Sequence, residues 1–164
     1  IYGFPLAKRA WDDGDSEGAR ATVMRFFVYS AAGGAALVGA FFVGGDFITR
    51  ILIGGEYAGS AVPTATVAIG AIGTVAATSG WLLRLQYRQQ AMARISLIAA
   101  VVQVPVVWLA TDWFGLAGLL AGVGAVMLGR SLAMLIIESR RSWVLPLGYS
   151  VAMMGAVVLA TAGL

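Results

Sequence analysis

Cysteine and histidine are both missing from this sequence. The first absence excludes disulfides and thiolate metal centres, and the second removes imidazole as a proton carrier or metal ligand. Charge is scarce too: Asp, Glu, Lys and Arg make up 12% of the chain, where soluble domains average about 25%. There is no Walker-type phosphate loop, no pair of carboxylates within reach on one face, and no nucleophile beside a base. ATP hydrolysis and glycosyl transfer are therefore unsupported, and the expectation is a non-enzyme without cofactor or metal.

Apolar side chains fill the space that charge leaves. The chain has 164 residues, 60% of them hydrophobic, and its mean hydropathy is +0.87. A soluble domain of this size keeps a large share of its surface in water and cannot hide that much apolar area. Lipid is the solvent the composition calls for. Net charge is +3, but the eleven Lys and Arg fall in short clusters, which suit membrane topology signals better than a nucleic-acid surface.

The longest apolar run goes from Trp113 to Ile137, interrupted by one charge, Arg130. A bilayer core about 30 Å thick needs roughly 20 apolar residues of helix, so this run spans. Gly118, Gly122, Ala125 and Gly129 share one face, whose lack of bulk lets another backbone approach.

Periodicity and charge place five complete spans, at about 26–45, 63–83, 95–111, 114–137 and 143–164, in an all-α multispanning bundle. Lys8 to Arg25 reads as a solvent loop, with a turn at Asp12 to Asp15 before a helix capped by Asp15 or Ser16. The apolar piece from Phe47 to Ile53 is too short to cross and is placed in the interface. Ile1 to Pro5 reads as the end of a preceding span, and both ends of the chain look like cuts through a longer protein.

Orientation follows from the basic residues of successive connectors. Lys8, Arg9, Arg20 and Arg25 fall in the first, Arg50 in the second, Arg84, Arg88 and Arg94 in the third, none in the fourth, and Arg140 and Arg141 in the fifth. Positive charge is retained on the cytoplasmic side, so connectors 6–25, 84–94 and 138–142 are expected there. Trp113, Trp143 and Tyr57 lie near span ends, where amphipathic rings gather.

Three short motifs occur in order. Phe4-Pro5-Leu6-Ala7 precedes the acidic turn, Gly54-Gly55-Glu56-Tyr57-Ala58-Gly59-Ser60-Ala61 follows the first span, and Phe114-Gly115-Leu116-Ala117-Gly118-Leu119-Leu120-Ala121 opens the fourth. Together they resemble the oligosaccharide and polysaccharide (O-antigen type) flippases of the multidrug/oligosaccharidyl-lipid/polysaccharide exporter superfamily. Where that family often has asparagine in the third span, this chain has Gln103, followed by Pro105.

The resemblance implies a parent protein of two six-helix lobes in the bacterial inner membrane, of which this chain is most of the second, its partner being the missing N-terminal lobe. It also implies alternating access around a cationic cavity, and as cargo a lipid-linked oligosaccharide, an undecaprenyl-pyrophosphate sugar of the kind used in lipopolysaccharide. Membrane lipids are the other expected partners, and nucleic acid is not one.

Phosphates crossing a low-dielectric passage need cations, and the planar fork of arginine suits them. Arg130 is the first candidate. Side chains lean toward a helix's N-terminus, so Arg130 on an inward-running helix leans to the membrane centre, while snorkelling to the cytosol is the alternative. Arg84 ends a face made of Thr66, Gly70, Gly73, Ala77 and Gly80, which reads either as a cavity wall or as tight helix packing. Arg88 is placed at the cytoplasmic mouth, on head groups or substrate. Gln103 at mid-depth is either part of a polar girdle or bonded to a neighbouring helix. Arg25 and Arg94 lean to the cytosol and read as anchors.

Two other functions stay open. A cation-coupled multidrug exporter would line its cavity with acidic residues, yet none lies inside the five spans. An accessory structural bundle would turn its arginines to head groups and use its glycine faces only for packing.

Overall fold

The computed structural model describes residues 3–52, 54–57, 62–138 and 144–162. Among them all regular structure is helical. The elements are α1 (Gly3–Asp12), α2 (Ser16–Leu52), α3 (Val62–Leu85), α4 (Gln89–Glu138) and α5 (Val144–Thr161), with a short 3-10 turn at Gly55–Tyr57. Three of them, α2, α3 and α4, are long and apolar enough to cross a membrane.

The expected loop over 6–25 is instead almost wholly helical; only Asp13, Gly14 and Asp15 are not. Alanines and long side chains favour helix there, and Asp15 caps α2, its Oδ1 accepting from the Gly18 N–H at 2.8 Å. The buried residues Ala7, Ala19, Val23, Leu82 and Leu85 join α1 to α2 and α3, with Phe4, Trp11 and Trp81 packed around them. Gly3, Phe4 and Pro5 open α1; Ile1 and Tyr2, on which the expected preceding span partly rests, lie outside the described residues.

Helix α2 leaves helical geometry at Gly44 (φ −129°, ψ 23°), close to the expected end of the first span, but resumes through Leu52. The piece placed in the interface is thus a continuation of α2 that buries Thr49. Its end is closed by Gly54, at φ 123°, whose N–H reaches the Thr49 carbonyl at 3.0 Å.

Between α3 and α4 the expected connector 84–94 shrinks to 86–88. The Arg88 N–H bonds to the Leu83 carbonyl at 2.9 Å and the Tyr87 N–H to Arg84 at 3.1 Å. This double closure holds Tyr87 at φ 55°, in the left-handed position usually given to glycine.

Helix α4 is two arms folded against each other. Gly115 (φ 58°, ψ −137°) breaks it in a conformation open essentially to glycine alone. Beyond the break the chain returns: Gly122 faces Val107 and Ala110, and a Cβ at Gly118 would land on the Ala110 carbonyl oxygen. The two arms cover the stretches expected as the third and fourth spans, joined without the non-helical connector foreseen at Asp112.

Helix α3 is central. Half (50%) of its most apolar stretch is buried against 11% for α2. It is antiparallel to α2, with Gly34 against Ala71 and Gly45 against Thr64, and antiparallel to α5. Val38, Ile72, Leu120, Met153 and Val157 form the main core. The second arm of α4 runs parallel to α3, with Gly124 against Ile69. Several hydroxyls inside helices bond back to the preceding turn, as Ser131 does to Met127 (2.8 Å) and Thr161 to Val157 (2.9 Å), whereas the buried Ser150 hydroxyl of α5 does not. Such back-bonding satisfies a hydroxyl without solvent.

Large apolar side chains remain exposed along α2 and the first arm of α4, among them Leu37, Phe47, Leu97, Val101, Val104 and Trp108. An exposed apolar surface that extends along whole helices marks contact with lipid or another chain. The fifth span is expected over 143–164; α5 covers Val144–Thr161, and Trp143 lies outside the described residues.

Candidate functional site

Parallel running brings two expected residues together. Arg84, near the end of α3, and Arg130, on the second arm of α4, line one cavity of about 340 Å³. Gly73, Ala77 and Gly80 form the α3 wall and Met127 and Met134 flank Arg130. Of the two uses open to the small-residue face of α3, its lower half is a cavity wall. Glycine and alanine leave room there for a guanidinium or a ligand, where larger side chains would fill the space.

The cavity is cationic: among the described residues lining it there are two arginines and no carboxylate. Arg130 is half-buried, and its Nε is shielded from solvent without a hydrogen-bond partner. An arginine at mid-membrane costs about 2.5–3.5 kcal/mol on insertion scales, and a buried donor left unsatisfied adds about 1–3 kcal/mol. An anionic ligand with several acceptor oxygens would offset both. The Arg130 side chain lines this cavity with its Nε shielded from solvent.

Arg84 is exposed at its other side and also lines an adjoining cavity with Lys8, Tyr87 and Gln89. Lys8 Nζ donates to both oxygens of Asp12, at 2.8 and 2.6 Å, and lies 5.9 Å from the Tyr87 ring centroid. Its pKa is raised above the usual lysine range, chiefly by the hydrogen bond to Asp12. Cations therefore step inward from Lys8 through Arg84 to Arg130. The signal for Lys8 was absent from the sequence, because α1 looked like loop. That for Met127 and Met134 was present, since residues 127, 130 and 134 repeat at helical spacing.

Arg88 is exposed and turned away from this cavity. Its Nη1 donates to the Ile137 carbonyl at 2.9 Å, at the end of the second arm. The last carbonyls of a helix lack intrahelical partners and carry partial negative charge, so the contact is a helix cap. Gln103 is exposed as well, facing a shallow groove of the first arm with Val104, Val107 and Trp108. It does not join the arginines. Arg25 and Arg94 are exposed.

A second concavity meets the site. The two arms of α4 diverge from their close contact near Gly115 and enclose a groove of about 370 Å³, walled by Ile98, Val102 and Val106 on one side and Ala125, Gly129 and Arg130 on the other. Among the described residues, Arg130 alone lines both groove and cavity. The docking face expected from Gly118, Gly122, Ala125 and Gly129 thus packs in its first half and lines a groove in its second.

Residues 58–61 of the glycine-rich motif and the basic pair Arg140 and Arg141 lie outside the described residues. No family model, no curated protein and no solved structure matches the chain.

Proposed function

We propose that this chain is the cation-bearing lobe of a bacterial inner-membrane transporter that flips a lipid-linked oligosaccharide, an undecaprenyl-pyrophosphate sugar, by alternating access. The observation that carries this is the placing of Arg84 and Arg130, from two parallel helices, on one carboxylate-free cavity. A diphosphate needs multidentate donors in a space with few competing anions, and two guanidinium forks supply them.

The membrane reading counts five crossings, because the reversal at Gly115 divides α4 in two and α5 adds the last. Lys8, Arg84 and Arg88 gather at the end of the bundle where α1 meets the 86–88 turn. By the retention of positive charge that end is cytoplasmic, and the Gly115 end faces outward. Bilayer lipid covers the exposed flanks of α2 and the first α4 arm, and a second lobe of the same protein completes the passage. A cation-coupled drug exporter is disfavoured because such a cavity would hold carboxylates. A purely structural bundle would turn Arg84 and Arg130 to head groups, as Arg88 is turned to a helix end.

The test is Arg130→Ala in the intact protein. Surface polysaccharide should be lost while the variant inserts at the normal level. Normal polysaccharide output from that variant would refute the role.

A further inference from the structure

The cavity that Arg84 shares with Lys8 lies at the charged end of the bundle and does not include Arg130. It encloses about 380 Å³ between α1, the end of α3, the 86–88 turn and the start of α4, with Phe4, Lys8, Trp11, Arg84, Tyr87 and Gln89 on its wall. Two of the described lining residues are cations and none is a carboxylate. Among the described residues the one ion pair joins Lys8 to Asp12, which leaves the Arg84 guanidinium unpaired. The Lys8 ammonium has three N–H donors and gives two to Asp12, so one is left.

Tyr87 makes this wall more than a charged surface. Its φ of 55° is a backbone conformation that is costly for a tyrosine and free of cost for a glycine. What the strain achieves is to set an aromatic ring on the cavity wall, 5.9 Å from Lys8 Nζ. Strain of this kind gathers where a ligand is held. With Phe4 and Trp11 the wall combines rings and cations, the pairing favoured where a chain meets the head-group layer of a bilayer.

We propose that this cavity binds the head group of an anionic phospholipid from the leaflet at that end of the bundle. Its phosphodiester meets Arg84 and the remaining Lys8 donor, and its glycerol lies against Gln89 and the Tyr87 ring. Basic pockets between membrane helices suit acidic head groups on these grounds. Three rings beside two cations fit an amphiphile, because an inorganic phosphate ion would use the donors and leave the rings without a partner. This rests on the chain lying in a bilayer, and not on the cargo of the inner cavity.

Native mass spectrometry of the full chain reads the preference, with the protein released from micelles holding equal amounts of dioleoylphosphatidylglycerol and dioleoylphosphatidylcholine. One phosphatidylglycerol should be retained per chain, about tenfold over phosphatidylcholine. Arg84→Gln should lower that retention about tenfold. Tyr87→Gly relieves the backbone and removes the ring, so its thermal unfolding temperature should not fall while retention drops about threefold or more. Arg130→Gln, outside this cavity, should leave retention within about twofold.

Equal retention of the two lipids, or indifference of phosphatidylglycerol to Arg84→Gln or to Tyr87→Gly, would overturn the proposal. Loss with Arg130→Gln as large as with Arg84→Gln would move the lipid to the inner cavity and overturn it too. Displacement of the lipid by millimolar inorganic phosphate would make the free ion the occupant, again against the proposal. Dimethylallyl diphosphate, the head of the proposed cargo on a single isoprene unit, probes the inner cavity of the same chain. Arg130→Gln should weaken its binding about tenfold, and Tyr87→Gly should leave it within about twofold. Indifference of that binding to Arg130→Gln, with phosphatidylglycerol still selected, would overturn the diphosphate reading and leave the head-group site standing.

Discussion

Arg88 and Ile137 meet across the open end of the α4 hairpin: the guanidinium Nη1 donates to the main-chain carbonyl at 2.9 Å. One residue before α4 begins is tied to one near its end. The bond closes the end of the bundle opposite Gly115, where the two arms would otherwise be free to splay. It also explains why a cation expected at the mouth contributes to the frame of the site rather than to its lining.

Arg88→Ala should therefore act on stability. Losing a cation from a helix C-terminus costs about 0.5–1 kcal/mol for an exposed contact. That corresponds to a fall of roughly 1–4 °C in thermal unfolding temperature for a chain of this size. Dimethylallyl diphosphate binding should stay within about twofold of the unmutated chain. A tenfold loss of binding without loss of stability would instead move Arg88 into the ligand site.

Two glycines on one helix face make opposite predictions. A methyl at Gly118 would collide with the Ala110 carbonyl, whereas one at Gly129 meets open space. Gly118→Ala should destabilise by about 1–3 kcal/mol as the arms are forced apart. Gly129→Ala should be neutral or gain up to about 1 kcal/mol from helix propensity. Thermal unfolding of the two variants side by side checks this, and equal effects would mean that the arms do not converge toward Gly115.

Much of the architecture is visible in the residues alone. The helices over 63–83 and 114–137 stand out because they are long apolar runs. The capping by Asp15 is equally visible, since a short acidic side chain before a helix-forming stretch has an obvious backbone partner. The helicity of Lys8 to Arg25 is not, because its charges mimic a loop when the packing of Ala7, Ala19 and Val23 on α3 is unseen. For the site, direction along a helix singles out Arg84 and Arg130 as candidates, but that they line one cavity is seen only in the structure. Direction cannot supply the relative rotation of neighbouring helices. For that reason the separate groove that Gln103 lines and the groove beside Gly129 have no signature in the sequence.

Gln103 provides a control. Its side chain is exposed and lines a groove on which neither Arg84 nor Arg130 lies. Gln103→Leu should keep diphosphate binding within about twofold and leave stability within about 0.5 kcal/mol. Loss of binding in this variant would show that the first arm turns this face to the ligand in the working protein.

The joint action of Arg84 and Arg130 is open to a double-mutant cycle. Each Arg→Gln change removes charge-assisted hydrogen bonds worth about 1.5–3 kcal/mol, so each should weaken dimethylallyl diphosphate about tenfold to a hundredfold. If one diphosphate bridges the two forks, losing either lets the anion shift toward the other. The two guanidinium groups also repel each other in the empty cavity, and either substitution relieves that repulsion. Both effects make the double variant lose less than the product of the single losses, with a coupling of about 0.5–3 kcal/mol. Strict additivity would mean that the two cations serve different anions or different steps, and the cavity between them would then need another occupant.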